Sequence, residues 1–358
     1  HLLSRRQRQM CIRDRNVLAY ERYARVYRHV SPETAVKKLE ELRQVKPDYP
    51  VEVKAAEIML ADQKYAEAAK WFAKAPKTQL DETAYYQYIV AEFYSGNAKN
   101  ALEVARHGLQ KYAGSEYLSR LAVMAAVDQN QFPEALTYSE NVMRGKEQKN
   151  YNDYYYYGQA LAGNDKFQEA INAYNKCLEL KPGEVDPLSK LSAAYAGLGD
   201  GDKALDFQRQ YLEKGTNITS TDWADFAGIY IKMGDQVDSL DHAKAVGYYT
   251  QAMDVYEKMT EKFPTLKDWC WVAEASVALG KLKDLDKVRD LYTKVAEYEE
   301  AKADKSDANT KNYLSAAYYF LGYYYAGKND AETSKSYFEK LIQIDPENAE
   351  AKKALGLE

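Results

Sequence analysis

The 358-residue sequence contains few of the residues that interrupt helices or bind metals. It has 9 Pro, 3 Cys and 4 His, while hydrophobic residues make up 46% and charged residues 29%. This composition predicts an ordered, helix-rich, soluble protein. Because the sequence has no run of about 18 apolar residues, it predicts no transmembrane segment.

Signals of catalysis are missing as well. Catalysis needs a nucleophile or an acid–base pair with an orienting group, and the histidines stand singly, at His1, His29, His107 and His242. Neither HExxH nor paired CxxC is present, and the phosphate-binding patterns GxxxxGKS/T and GxGxxG do not occur. We therefore predict that the protein is not an enzyme and that it has no catalytic residue, no metal site and no cofactor.

An acidic trio, Asp235, Asp238 and Asp241, could suggest calcium binding. The ligands of a calcium-binding helix–loop–helix alternate every second residue around a glycine. These three residues are instead three positions apart, which places them on one face of a helix. The spacing favours a solvent-exposed or helix-capping role.

Residues 151–184, YNDYYYYGQALAGNDKFQEAINAYNKCLELKPGE, predict two helices joined by a turn. The first half places its packing residues on one helical face, at Tyr154, Tyr157, Gly158 and Leu161. The second half does the same at Phe167, Ala170, Ala173, Tyr174 and Cys177. We predict that Asp165 caps the second helix, with Gln168 completing a capping box, and that the helix ends before Pro182.

This unit resembles the tetratricopeptide repeat, in which an aromatic, Leu-Gly and Tyr mark the first helix, and Ala, an aromatic and Pro mark the second. The anchor alanine of the second helix recurs at Ala35, Ala68, Ala101, Ala135, Ala170 and Ala204. The intervals are 33, 33, 34, 35 and 34 residues. The resemblance implies an all-α fold, a right-handed α-solenoid of about nine helical hairpins with a C-terminal capping helix.

The pattern divides the chain into regular and expanded parts. Residues 16–218 predict six regular repeats. Residues 219–310 predict two expanded repeats, with an insertion near 235–247. Residues 311–348 predict a final repeat, and residues 349–358 predict a capping helix that closes the stack.

The first fifteen residues, HLLSRRQRQMCIRDR, fit nothing that follows them. Residues 8–15 resemble the in-frame translation of a transposon-end adapter from DNA library preparation, and the alternative is a basic, flexible N-terminus. Without the five Arg and one Asp of this segment, the basic count falls from 49 to 44 and the acidic count from 54 to 53, so the net charge is −9 rather than −5. An acidic chain is a poor nucleic-acid binder. Without Cys11, the remaining Cys177 and Cys270 are predicted to be buried apolar residues and not a disulfide.

In tetratricopeptide arrays the first helices line the concave surface, so the resemblance assigns ligand-facing positions beside their packing faces. The positions so selected are Tyr20, Tyr27, Tyr86, Phe93, Tyr94, Tyr117, Arg120, Met124, Tyr155, Gln159, Tyr319 and Tyr323. Tyr and Arg are enriched among residues that dominate binding energy. The alternative for each tyrosine is packing against the adjacent repeat. The Lys and Asn that clamp a chaperone's C-terminal carboxylate in some such domains are absent from the corresponding positions, Tyr20 and Ala24 in the first repeat.

The resemblance implies a non-catalytic scaffold that binds a protein or peptide partner through a tyrosine-rich groove. The alternative is a glycan-binding envelope protein that stacks sugar rings on the same tyrosines. A single-stranded nucleic-acid binder would need a basic groove, which the net charge argues against. The 33 tyrosines and the repeat style resemble exported tetratricopeptide proteins of bacteria, which implies the periplasm or cell envelope, with a role in envelope assembly.

Overall fold

The computed structural model describes residues 17–303 and 307–357. These ranges contain helices and no β-strand, which confirms the predicted all-α fold. The α-helices are α1 (Val17–Tyr27), α2 (Pro32–Val45), α3 (Val51–Ala61), α4 (Tyr65–Lys74), α5 (Glu82–Tyr94), α6 (Ala98–Lys111), α7 (Glu116–Asp128), α8 (Phe132–Arg144), α9 (Tyr151–Ala162), α10 (Phe167–Leu180), α11 (Asp186–Leu198), α12 (Gly201–Lys214), α13 (Ser220–Val237), α14 (His242–Lys262), α15 (Lys267–Val277), α16 (Leu285–Glu300), α17 (Ala308–Gly327), α18 (Ala331–Ile344) and α19 (Ala349–Leu355). None of them is both long and apolar enough to cross a membrane. The predictions for residues 1–15 lie outside the described ranges.

Consecutive helices pair into hairpins, beginning with α1 and α2 and ending with α17 and α18, and α19 packs on the last pair. The described residues therefore form nine hairpins and a terminal helix, the number that the sequence predicts. It divides into two compact units, one up to Pro187 and one from Leu188 onward. The first unit contains the hairpins from α1 to α10, and α11 starts at the boundary.

The anchor alanines lie inside the packed core of their hairpins. All six, at the positions predicted from the sequence, have 0% of their surface exposed. The residue four positions later is also buried in each hairpin, including the polar Ser139 and Gln208. Ser139 Oγ donates to the carbonyl of Ala135 at 2.8 Å, and Gln208 Nε2 donates to the carbonyl of Asp222 at 2.9 Å. Polar side chains fit this buried position because backbone carbonyls accept their hydrogen bonds.

The turn within most hairpins contains a residue in the left-handed backbone region, placed just before the N-cap of the second helix. These residues are Gln63, Gly96, Asn130, Asp165, Gly199, Lys283 and Asn329. The prediction that Asp165 caps α10 is therefore wrong, since its φ is 58° and Lys166 is the N-cap. Asp and Asn tolerate this region better than most residues. At this position the aspartate serves the tight turn and not the cap.

Gly158 of α9 allows Tyr174 of α10 to lie directly on the helix backbone. A Cβ atom at Gly158 would be 2.5 Å from Tyr174 Cε1, well inside an ordinary contact of about 3.5–4.0 Å. Gly322 and Phe338 make a similar contact in the last hairpin, where the nearest ring atom would be 2.8 Å away. The glycine of the repeat pattern is thus required by an aromatic ring on the facing helix.

The seventh hairpin is longer than the others because both of its helices are extended. α13 has 18 residues and α14 has 21, so most of the residues near 235–247 are helical. Gly234 repeats the glycine–aromatic contact in the extension, since a Cβ atom there would be 2.4 Å from Tyr249 Cε1. The extra residues therefore lengthen an existing helix pair.

Each member of the acidic trio has a partner within the protein. Asp235 accepts a hydrogen bond from the Tyr249 hydroxyl at 2.7 Å, and Asp238 lies 2.6 Å from His242 Nδ1. Asp241 is the N-cap of α14. Asp241 therefore has the predicted helix-capping role, whereas Asp235 and Asp238 contact side chains of the same unit.

Two carboxyl groups are buried where α15, α16 and the segment after α16 meet. Lys302 Nζ lies 2.9 Å from Asp268 Oδ2 and 2.6 Å from Glu299 Oε1. Burial raises the pKa of Glu299, and a hydrogen bond with Asp268 raises it further. Although burial acts in the opposite direction, hydrogen bonds from Glu299 and Lys302 lower the pKa of Asp268. The pKa values of the two carboxyl groups are therefore shifted in opposite directions.

Both cysteines in the described ranges are buried and unpaired, as predicted. Burial raises the pKa of the Cys177 thiol to about 12 and that of the Cys270 thiol to about 11. At neutral pH these thiols are protonated, and they behave as small apolar residues.

Candidate functional site

The first helices α5, α7 and α9 contact one another in succession and, with α8, enclose a cavity of about 350 Å³. The cavity lies entirely within the first unit, and we call it the tyrosine pocket. It is lined by Tyr86, Tyr94, Tyr117, Arg120, Leu121, Val123, Met124, Ser139, Val142, Asn150, Asn152, Asp153 and Tyr156.

Side-chain caps determine where each of these first helices begins. Asp81 accepts a hydrogen bond from the amide three residues on at 2.8 Å and so starts α5. Ser115 does the same at 3.2 Å and starts α7. Asn150 and Asp153 form a capping box at the start of α9. Because the helices begin at equivalent points of the repeat, equivalent positions after each cap face the same direction.

One wall of the tyrosine pocket is an ion pair that joins α7 to α9. Arg120 donates from Nε to Asp153 Oδ1 at 2.8 Å and from Nη2 to Asp153 Oδ2 at 3.3 Å. The Asp153 side chain is only 3% exposed, and its Oδ2 also accepts from the amide of Asn150 at 2.9 Å. Burial disfavours the charge on Arg120, but the bonds to Asp153 outweigh it and raise the pKa of the guanidinium. The two charges of this ion pair cancel each other.

Tyrosines supply the open surface of the pocket. Tyr94 is 57% exposed, Tyr117 53% and Tyr86 40%. Tyr156 is half-buried, and burial raises its pKa, with smaller contributions from the neighbouring Tyr94 and Asp128. The buried apolar residues of the lining are Leu121, Val123 and Val142. The pocket thus combines an apolar interior with exposed aromatic faces.

Two segments of the chain, residues 151–184 and residues 315–348, match models of the tetratricopeptide repeat. The first segment contains α9 and α10, and hence one side of the tyrosine pocket. The chain therefore contains tetratricopeptide repeats.

Solved structures are consistent with this fold. The C-terminal part of a tetratricopeptide repeat-containing protein from Cytophaga hutchinsonii is 19% identical, with a TM-score of 0.55 over 75% of this chain and 99% of that one. MamA from Desulfovibrio magneticus RS-1 is also 19% identical, with a TM-score of 0.37 over 54% of this chain and 92% of that one. The first likeness shows a shared fold, and the second score is too low to do so. No curated protein sequence is significantly similar to this chain.

Five of the positions selected from the sequence come together in this tetratricopeptide array. They are Tyr86, Tyr94, Tyr117, Arg120 and Met124, and all of them line the tyrosine pocket. They come from two successive first helices, α5 and α7. Their role in binding stays a prediction.

The other selected positions in the first unit do not line the pocket. Tyr20 and Tyr27 pack against the core of the first hairpin, and Phe93 packs against the larger core that follows. Tyr155 stacks on Tyr151 with ring centroids 5.7 Å apart. Gln159 is half-buried on α9 and is not part of the lining. Tyr151 and Tyr155 belong to the same helix, so their contact lies within one repeat and not between adjacent repeats.

Tyr319 and Tyr323 form a separate aromatic surface in the second unit. Their ring centroids are 4.9 Å apart, and both hydroxyls donate to Glu350 of α19. Tyr319 is 39% exposed and Tyr323 44%. They are accessible, but the terminal helix holds their hydroxyls in place.

The α9 side of the pocket was missed from the sequence. The family comparison selected Tyr155 and Gln159, whereas α9 contributes the side that faces α7, with Asn152, Asp153 and Tyr156. Tyr156 is a neighbour of both other residues on the helix surface, because Asn152 lies four positions and Asp153 three positions before it. That spacing was a usable signal, because two polar residues and a tyrosine there do not fit a purely apolar packing face.

The chemistry available in the pocket is that of binding. Its only charged side chains, Arg120 and Asp153, are paired with each other, and its lining contains neither His nor Cys. In the described part of the chain, no group of three or more His, Cys, Asp or Glu is placed to hold a metal. The pocket offers aromatic faces, tyrosine hydroxyls and the side chain of Asn152 to a ligand.

Proposed function

We propose that this tetratricopeptide array acts without catalysis, as a scaffold that binds an extended peptide or a helix of a partner protein across the first helices α5, α7 and α9. The partner's anchor side chain enters the tyrosine pocket. In the second unit, Tyr319 and Tyr323 provide a further contact surface.

One observation carries this proposal: exposed tyrosines from neighbouring first helices converge on one cavity that is backed by buried apolar residues. Exposed aromatic side chains around a partly apolar pocket are typical of residues that dominate protein–protein binding energy. The Arg120–Asp153 pair supports the proposal because it fixes α7 against α9 before a partner binds. A preorganised surface loses little conformational entropy on binding.

Site-specific photo-crosslinking in the source cell tests the proposal. A photoreactive phenylalanine is placed at Tyr117, which is 53% exposed in the pocket, and in a matched control at Leu180, which is 47% exposed on the second helix α10. We expect a light-dependent protein adduct from position 117 that is absent from position 180. Adding Tyr94→Ala should reduce the adduct while the helical circular-dichroism signal is unchanged.

Other results would redirect or refute the proposal. Adducts from position 180 alone, or equal adducts from both positions, would place the partner elsewhere and refute the pocket. Retention of labelled glycans by the purified chain, without any protein adduct, would favour the glycan-binding alternative.

We also propose a cell-envelope location and a role in envelope assembly, supported by the resemblance of the repeats to exported bacterial proteins. Fractionation of the source cell with an antibody to this chain tests the location. Recovery with cytoplasmic marker proteins would refute it.

A further inference from the structure

The charge around the tyrosine pocket is distributed unevenly along α7. At the start of α7, Arg120 is neutralised by the two hydrogen bonds to Asp153. Asp128 lies eight residues further on, about 12 Å along the helix. It is exposed, and it is close enough to Tyr156 to raise the pKa of that hydroxyl. Its Oδ2 accepts a hydrogen bond from Gln129 Nε2 at 3.2 Å, a neutral donor that leaves the carboxylate negatively charged. This end of α7, next to Tyr156, therefore carries a negative charge that no cation of the described chain cancels in the way that Arg120 cancels Asp153.

The ring faces of the pocket are also unoccupied by the protein's own cations. Elsewhere lysines lie over tyrosine rings, as Lys181 does over Tyr151 at 4.8 Å and Lys203 over Tyr195 at 5.0 Å. Among the described residues, no Lys or Arg is placed in this way over the rings of the pocket, which are Tyr86, Tyr94, Tyr117 and Tyr156. A tyrosine face attracts a cation within about 6 Å of its centroid.

We infer that the tyrosine pocket takes a cationic side chain, Lys or Arg, from an extended partner segment, with the charge held between Tyr94 and Tyr156 beside Asp128. The aliphatic stem of such a side chain lies along Met124 and the apolar interior, since long basic side chains bury their stems readily. An acidic anchor would meet Asp128 and gain nothing from Arg120, which is already paired. The inference rests on the proposed function and specifies the partner of the same site.

Defined peptide pools test the inference on the full chain of 358 residues. Three fluorescent octapeptide pools are randomised except at one central position, which is arginine, its uncharged isostere citrulline, or glutamate. We expect the immobilised chain to retain the arginine pool about 2- to 30-fold better than the citrulline pool, the range for a cation on aromatic faces. The glutamate pool should be retained least.

Two variants separate the pocket from the acidity of the whole chain. Asp128→Asn and Tyr94→Leu should each reduce the preference for arginine over citrulline. The matched control Asp254→Asn removes one exposed carboxylate of α14 in the second unit and should leave the preference unchanged. All variants must first match the wild-type circular-dichroism spectrum.

The outcomes distinguish failure of the cationic anchor from failure of the proposed peptide binding. Equal retention of the arginine and citrulline pools, or a preference for glutamate, would overturn the inference while peptide binding stands. An arginine preference that falls equally with Asp128→Asn and Asp254→Asn would also overturn it, because the attraction would then be general. If the wild-type chain retains no pool, the cationic anchor and the proposed peptide binding both fail.

Discussion

Replacing Gly158 by alanine tests the contact on which the repeat geometry depends. Alanine favours a helix over glycine by about 1 kcal/mol, so helix propensity alone predicts a more stable protein. The structure predicts the opposite, because the new methyl carbon would lie 2.5, 2.8 and 2.9 Å from three ring atoms of Tyr174. To restore a contact of about 3.5 Å, the ring must move by about 1 Å.

Tyr174 has little room to make that movement. It is 1% exposed, and the ring of Tyr155 packs against it with centroids 6.3 Å apart. Inserting a methyl group into a filled core costs about 1–3 kcal/mol. After the gain in helix propensity, we expect Gly158→Ala to lower the free energy of unfolding by about 1 kcal/mol, with about 2 kcal/mol as the upper end.

Urea unfolding followed by circular dichroism measures the effect, with wild-type and variant compared at equal m-values. The matched control is Gly228→Ala in α13, where a Cβ atom would meet nothing within 4 Å. It should stabilise by about 0.5–1 kcal/mol. Gly322→Ala, with its nearest ring atom at 2.8 Å, should fall between the two.

Repeating the Gly158→Ala substitution in a Tyr174→Leu variant shows whether the close contact with the ring causes the loss of stability. When Tyr174→Leu has removed the ring, Gly158→Ala should become neutral or stabilising, which is a coupling of about 1–3 kcal/mol between the two sites. If Gly158→Ala is as stable as Gly228→Ala while Tyr174 is present, the argument from the close contact is wrong.

Three further predictions concern the buried polar groups. Because burial raises the folded-state pKa of Glu299, wild-type stability should fall as pH rises from about 4.5 through that pKa. Glu299→Gln should lack this loss, so the urea midpoints of the two proteins should diverge towards alkaline pH. Parallel curves would contradict the raised pKa of Glu299. Arg120→Ala should lower the free energy of unfolding by about 1–3 kcal/mol, because the buried Asp153 carboxylate loses its two hydrogen bonds from the guanidinium. The double variant with Arg120→Ala and Asp153→Asn should recover part of this loss. If the double variant is no more stable than Arg120→Ala, a buried unpaired charge is not the cause. In a Cys11→Ser background the two buried thiols should react with a thiol reagent at pH 8 only when urea unfolds the chain, and rapid reaction of the folded protein would show that they are accessible.

The hairpins were predictable because one position in every repeat has room only for a small residue. The alanines at intervals of 33–35 residues are all fully buried, in places where a larger side chain would not fit. Their regular spacing can therefore be recognised in the sequence without a known structure. Proline was equally informative, since α2 and α10 each end two residues before one, at Val45 and Leu180.

Turn conformation was less predictable. Asp165 looks like a helix cap because aspartate serves both caps and left-handed turns. The choice between them depends on how many residues separate the two helices of the hairpin. Only the structure shows that the turn takes up Asp165, so that the cap falls on Lys166.

The tyrosine pocket, too, could be predicted only in part from the sequence. Spacing along the sequence identified the tyrosines of α5 and α7, because equivalent positions after equivalent caps point the same way. It did not separate Tyr155 from Tyr156, which are one position and about 100° of helix rotation apart. Tyr155 packs against Tyr151 and Tyr174, and Tyr156 faces α7 and lines the pocket.

The fold class, the hairpin period and the helices that carry the exposed tyrosines could therefore be predicted from the amino-acid sequence, because each follows from contacts within one repeat. Which of those tyrosines share a cavity, and that Arg120 is paired with Asp153 across two hairpins, is seen only in the folded chain. The pairing depends on the rotation of each helix against its neighbour in the next repeat. Packing of many side chains sets that rotation together, and no single spacing in the sequence records it.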